Sequence, residues 1–326
     1  MYSRFPASRL AGCLVLFSVL FLLSGCSGSS EGSPAPGGDI QAEAQKDSGE
    51  NAGLRPNTPV IYEPLAPLSS TLGEEPLIVD ISNTGQGYIM ARYAGKAARA
   101  NIQITGPDGI HYKYFLDPSD TYTPLPLTSG DGAYQIDGFE NISGTQYAVL
   151  FRENIDVHLE NELLPFLYPN QYVFFDAESE IVPAASQAAA GASSDLDAVA
   201  DIYHFVIEHV TYDTKKAETV EAGYLPDVDE TLRTGRGICF DYASLTAAML
   251  RSQNIPARLE IGYSGDIYHA WISVYTKETG WIDRLIEFTG EGWTRMDPTL
   301  ASGNGNSEAA LKYIGDGSNY TTQYVR

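Results

Sequence analysis

The hydrophobic period of this chain changes once, near Pro183, and that change restricts the possible folds more than any other feature. Before it, apolar residues recur at every second position in short runs: Leu77, Val79 and Ile81; Ile89, Ala91 and Tyr93; Ile102 and Ile104; then His111 to Leu116. Period two marks a strand buried on one face. Turn residues separate the runs. In Gly106-Pro107-Asp108-Gly109 the proline presets φ and the glycine takes positive φ, while Gly130, Gly132 and Gly138 punctuate a further strand pair ending with Tyr147 to Phe151. Strands at this spacing predict a small antiparallel, sandwich-like all-β domain over residues 76–165. An apolar connector, Leu163 to Pro169, follows. The period then lengthens: Leu196, Val199, Ile202, Tyr203, Val206 and Val210 share one helical face, and Ser194 with Asp197 makes a capping-box-like start. The fold class is α+β, with residues 166–326, connector included, as the second domain.

The ends carry different information. Arg4 and Arg9 precede an apolar run, Leu14 to Leu23, and then small residues. A mostly apolar run of ten residues is short for a bilayer span and suits a cleavable export signal over 1–26. Leu23-Ser24-Gly25-Cys26 resembles the bacterial lipobox, which makes Cys26 the expected lipid attachment site. The chain is therefore expected to be exported and lipid-anchored at the outer face of a bacterial membrane or envelope. Residues 27–75 are read as a flexible tether, richest in Ser, Gly, Pro, Ala and Glu up to about residue 58. About thirty residues of that kind span roughly 30 Å. The net charge of −22, with no Lys/Arg-rich run, argues against a nucleic-acid partner.

Of the three cysteines, Cys13 lies in the export signal and Cys26 where lipid is expected, so Cys239 has no disulfide partner and no Cys-rich metal site. It follows Gly235-x-Gly237 and opens a helix predicted from about Cys239 to Ser252, with Tyr242, Leu245, Met249 and Leu250 turned inward and Asn254 and Pro256 as the stop. A helix N-terminus favours a thiolate over a thiol, and its free N–H groups can receive a developing oxyanion. Arg258 to Tyr263 and Tyr268 to Tyr275 read as strands around the turn Ser264-Gly265-Asp266. His269, Trp271, Ser273 and Tyr275 share one face of the second strand. Pro298 restricts Asp297 to extended backbone at a strand end, where its carboxylate can orient a histidine.

These motifs come in a telling order: Gly237-x-Cys239-x-Asp241-Tyr242-Ala243, Arg251-Ser252-x-x-Ile255-Pro256-Ala257-Arg258, Gly262-Tyr263, His269-Ala270-Trp271 and Trp293-x-x-x-Asp297-Pro298-Thr299. Over about residues 195 to 300 the chain resembles the transglutaminase-like superfamily, which has a papain-like fold. The resemblance implies Cys239 as nucleophile, His269 as general base and acid, and Asp297 as orienter. The implied reaction is acyl transfer or amide hydrolysis on protein or peptide amides through a thioester; the residues themselves suggest no cofactor and no metal site. One departure stands out: no Gln or Trp lies between Tyr212 and Cys239 to complete an oxyanion hole. The Cys239 N–H is the first donor, and Tyr212 is a second candidate that is as readily core.

Other chemistry finds little support. His204 and His209 lie five residues apart, wrong for a shared helical face, and read as structural; His111 and His158 are lone strand or surface residues. Asp227-Val228-Asp229-Glu230 lacks the donor spacing and turn glycine of a calcium loop and reads as a solvated face. The alternative function is a catalytically idle lipoprotein that binds or scaffolds an envelope partner through its β domain; retention of all three implied residues favours the enzyme. The tail from Ser302 to Arg326 is expected to pack back on the second domain.

Overall fold

The alternating runs become strands because each has one apolar face to bury, and two such faces meet. In the computed structural model, which describes residues 54–282, 286–290, 292–304 and 307–326, the first part of the fold holds eight strands. They are β1 (Thr71–Glu74), β2 (Leu77–Asp80), β3 (Tyr88–Tyr93), β4 (Ala100–Thr105), β5 (His111–Leu116), β6 (Thr123–Pro126), β7 (Gly132–Ser143) and β8 (Gln146–Val157). They form two antiparallel sheets, β1-β2-β3-β6 and β5-β4-β7-β8. Leu77, Val79, Ile89 and Ala91 from one sheet share a core with Ile102, Ile104, Tyr112, Tyr134 and Ile136 from the other. That shared core makes the pair a sandwich.

The second part continues with α1 (Ile181–Ala188), α2 (Asp195–His209), β9 (Thr211–Tyr212), α3 (Thr214–Thr219), α4 (Val228–Thr234), β10 (Arg236–Gly237) and α5 (Cys239–Ser252). Then come β11 (Ala257–Ser264), β12 (Ile267–Thr276), β13 (Thr279–Ile282), β14 (Ile286–Thr289), β15 (Gly292–Met296), α6 (Pro298–Gly303), α7 (Glu308–Gly315) and β16 (Tyr320–Val325). Its main sheet is antiparallel in the order β15-β12-β11-β16. Helix α5 lies between that sheet and α1, α2, α4 and α6. Every residue from Asp241 to Ser252 is consequently buried, where the sequence pattern marked a single inward face. Ala243, Ser244, Ala247 and Ala248 let neighbours approach on the sides that hydropathy alone does not mark. Asn254 takes φ 60° just past the helix, as its place before Pro256 suggests.

The tail does pack back: β16 pairs with β11, with a register shift beside Gly262. A Cβ on Gly262 would lie 2.0 Å from Thr321 O, so only glycine lets β16 come this close. Gly53–Arg326 forms one compact unit. The export signal, Cys26 and the first stretch of the expected tether lie outside the described residues.

Residues 54–75, also assigned to the tether from sequence, are instead laid against the fold. Arg55 N donates to Ala192 O at 2.9 Å and Val60 N to Ser252 O at 3.0 Å. The Arg55 guanidinium reaches Asp195 Oδ1 at 2.5 Å, Asn57 Nδ2 donates to Ser186 O at 2.6 Å, and Ile61 packs on the main core. The flexible composition ends before Val60-Ile61-Tyr62, which bring apolar surface worth burying. Among the described residues no helix is long and apolar enough to cross a membrane.

Candidate active site

Three short devices set the position of Cys239. Helix α4 ends at Gly235, in the left-handed region at φ 60°, whose N–H donates to Thr231 O. The chain then runs as β10 parallel to β9, with Thr211 N donating to Gly235 O at 2.8 Å and Asp213 N to Gly237 O at 2.9 Å. Ile238 caps α5, and its N–H is taken by the Asp241 carboxylate at 2.8 Å, so Cys239 is the first residue of the helix. A Cβ on Gly237 would come within 2.6 Å of Asp241 Cβ, which explains the second glycine of the loop.

Asp241 is fully buried and holds two further partners, Lys216 Nζ at 2.7 Å and Tyr224 OH at 2.5 Å. Lys216 and Tyr224 are themselves bonded at 2.7 Å. Burial, followed by this carboxylate, pushes the Tyr224 hydroxyl far above the ordinary phenol range. One carboxylate thus ties the segment after β9 to the start of the cysteine helix. Cys239 itself is partly exposed and is the free thiol of the described residues.

His269 is buried on β12, opposite Gly262 of β11. Its Nε2 meets Asp297 Oδ2 at 2.8 Å, and Cys239 lies near enough for its charge to act on the ring. Burial works against the imidazolium, but Asp297 and then Cys239 outweigh it and hold His269 up to about 10. Trp271, two residues on and on the same face, stacks beside the imidazole with centroids 6.2 Å apart.

Asp297 has no exposed surface. It closes β15 and caps α6: Oδ1 accepts from Leu300 N at 3.0 Å, with Pro298 as first helical residue. Oδ2 accepts from His269 and also from Tyr320 OH, at 2.9 Å, while Tyr203 OH donates to the backbone oxygen at 3.3 Å. An imidazole held between a carboxylate and a thiol at a helix start can store an ion pair and move one proton.

The structure therefore brings Cys239, His269 and Asp297 together. Tyr212 stands within the influence of Cys239: burial and then the charge of Cys239 raise its hydroxyl, although the residue is 39% exposed. The histidines read as structural stay apart from this cluster in role. His209 Nε2 meets Leu232 O at 2.5 Å, and His111 bonds Thr105 and Gln103 on an exposed strand face. The acidic string is more than a solvated face. Asp227 caps α4 by accepting from Glu230 N at 2.8 Å, and Asp229 accepts from Ile181 N at 3.0 Å. Among the described residues no group of three or more His, Cys, Asp or Glu side chains is placed to hold a metal ion.

Sequence reasoning missed Tyr320 and the Lys216–Tyr224–Asp241 cluster. Asp241 three residues into a helix was a readable capping signal; Tyr320 carried none, because its contact needs β16 to pair across the sheet.

Residues 183–298 match the family model described as the transglutaminase-like superfamily. A candidate cysteine protease of Cytophaga hutchinsonii is similar over 71% of this chain and 77% of its own, at 13% identity and a TM-score of 0.39. Red sea bream transglutaminase is similar over 65% of this chain and 48% of its own, at 13% identity and a TM-score of 0.32. A UPF0252 protein of Methanocaldococcus jannaschii is 30% identical over 93 residues, so the chain spans about a quarter of that relative, 26% of its length.

Proposed function

We propose that this protein is an extracytoplasmic cysteine acyltransferase or amide hydrolase acting on protein or peptide amides, with Cys239, His269 and Asp297 as its catalytic centre. The observation that carries the reading is the imidazole of His269, bonded to the buried Asp297 carboxylate and within the influence of Cys239 at the start of α5. With His269 held up to about 10, its ring is an imidazolium at neutral pH, facing a cysteine that we propose reacts as its thiolate. The thiolate attacks the carbonyl carbon of a carboxamide or peptide, and negative charge gathers on the oxygen. The Cys239 N–H, unpaired within the helix at its first position, and the Tyr212 hydroxyl are the donors proposed to receive it. The C–N bond breaks as the imidazolium gives its proton to the leaving nitrogen, and a thioester remains. A lysine amine or water then attacks, neutral His269 takes its proton, and the C–S bond breaks to restore the thiolate.

The match of residues 183–298 to the transglutaminase-like superfamily supports the same reading. The export signal and Leu23-Ser24-Gly25-Cys26 support placing the enzyme at the outer face of a bacterial membrane, with Cys26 lipidated. The test is incubation with casein and a labelled amine, read by mass spectrometry for amine incorporation, deamidation and cleavage, beside alkylation of Cys239. We expect at least one of the three products, and labelling of Cys239 much faster than of glutathione at pH 6. Labelling at the glutathione rate with no product would sink the proposal. Loss of detergent-phase partitioning in Cys26→Ala tests the anchor.

A further inference from the structure

We propose that Tyr320 is a positioning residue, which holds Asp297 for His269 and shares the charge of the same carboxylate oxygen; this rests on the reading given under Proposed function. Two donors converge on Asp297 Oδ2, His269 Nε2 at 2.8 Å and Tyr320 OH at 2.9 Å, in a site without solvent at the carboxylate. Oδ1 is already taken by Leu300 N at 3.0 Å. The carboxylate is therefore fixed at both ends, and Tyr320 is the only one of these donors contributed by β16. Its ring is held independently. It meets Trp271 edge-on at 4.9 Å, Tyr313 at 5.9 Å, and the Arg295 guanidinium lies 4.8 Å from its centroid. Trp271 in turn stacks beside His269, so the phenol, indole and imidazole form one packed row behind the thiol.

The sign of the effect follows from where the charge goes. A hydroxyl donating to a carboxylate stabilises its negative form and draws density away from the second donor. Without that hydroxyl, Oδ2 offers all its charge to the imidazolium, and His269 holds its proton to higher pH. The groups facing this pair are few. Cys239 on α5 and Asp297 face His269; Tyr320 with Ser264, Tyr313 and Arg295 around it faces Asp297; Tyr203 of α2 donates to the Asp297 backbone oxygen. None besides Tyr320 donates a side-chain hydroxyl to Oδ2 among the described residues.

The experiment is a histidine-selective nitrogen NMR titration of the full chain, with His269 assigned from the signals lost in His269→Gln. At pH 10 the wild-type ring should be about half protonated. In Tyr320→Phe it should be about three quarters protonated or more, a shift of about half a unit. Tyr320→Met, which keeps bulk without a donor, should move the same way. A role in packing alone would lower the melting temperature and leave the midpoint unmoved, and that result overturns the proposal. A wild-type His269 titrating near 6.5 would overturn both this proposal and the catalytic reading beneath it. A high wild-type midpoint untouched by either variant would overturn only the role of Tyr320.

Discussion

Replacing Asp297 by Asn keeps the shape of the side chain and removes its charge. In the native site burial disfavours the imidazolium of His269, and Asp297, followed by Cys239, more than offsets this to reach about 10. Without the carboxylate, burial is opposed by Cys239 alone, so His269 should fall to its ordinary value of about 6.5 or below. The imidazolium fraction at pH 8 then drops from about 0.99 to about 0.03, roughly a thirtyfold loss. At pH 6 the same change is only from about 1 to about 0.75. Because the imidazolium must protonate the leaving nitrogen, turnover should follow this fraction. Amine incorporation into casein, measured from pH 6 to pH 8, should show a defect in Asp297→Asn that grows by more than tenfold across the range. A defect of equal size at both ends, or none, would refute the reasoning: Asp297 would then serve α6 as a cap and do little for His269.

Other outcomes follow from the same contacts. His269 binds its proton more tightly folded than unfolded, so its stabilising contribution is full below about pH 6.5 and is lost as pH rises to about 10. Urea unfolding across that window should show stability falling in the wild type and a flatter profile in His269→Gln. Asp241→Ala leaves the Ile238 N–H and the Tyr224 hydroxyl without their acceptor, while Lys216, 29% exposed, can turn to water. A loss of about 3–5 kcal/mol is expected by urea titration, with slower labelling of Cys239; a loss below about 1 kcal/mol would show the cluster to be dispensable. Gly262→Ala places a methyl against Thr321 O and should cost about 1–3 kcal/mol by pushing β16 and Tyr320 away. The His269 midpoint should then rise as it does in Tyr320→Phe.

Much of the site could be read locally. Gly235-x-Gly237 before Cys239, the strand carrying His269 and Trp271, and Asp297 before a proline are signals of a few residues each. The structure sets His269 against Asp297, with Cys239 at the start of α5 acting on the same ring. The sandwich was legible for the same reason, since Leu77, Val79, Ile102 and Ile104 alternate on strands that need only a facing sheet. Reading Asp227 to Glu230 as a solvated face missed that the string begins a helix whose Asp229 reaches back to α1.

What the sequence by itself determined was local: where strands alternate, where the cysteine helix starts and stops, and which residue precedes a proline. These depend on backbone sterics and side-chain periodicity within about a dozen positions. Only the tertiary structure decided that α5 is buried on every side, that Arg55 to Ile61 lie along the fold, and that Tyr320 shares an oxygen with His269. Each of those depends on pairing between distant segments, where the close approach of β16 at Gly262 sets the geometry. No local period encodes such a contact, because its energy comes from surfaces that meet only once the chain has folded.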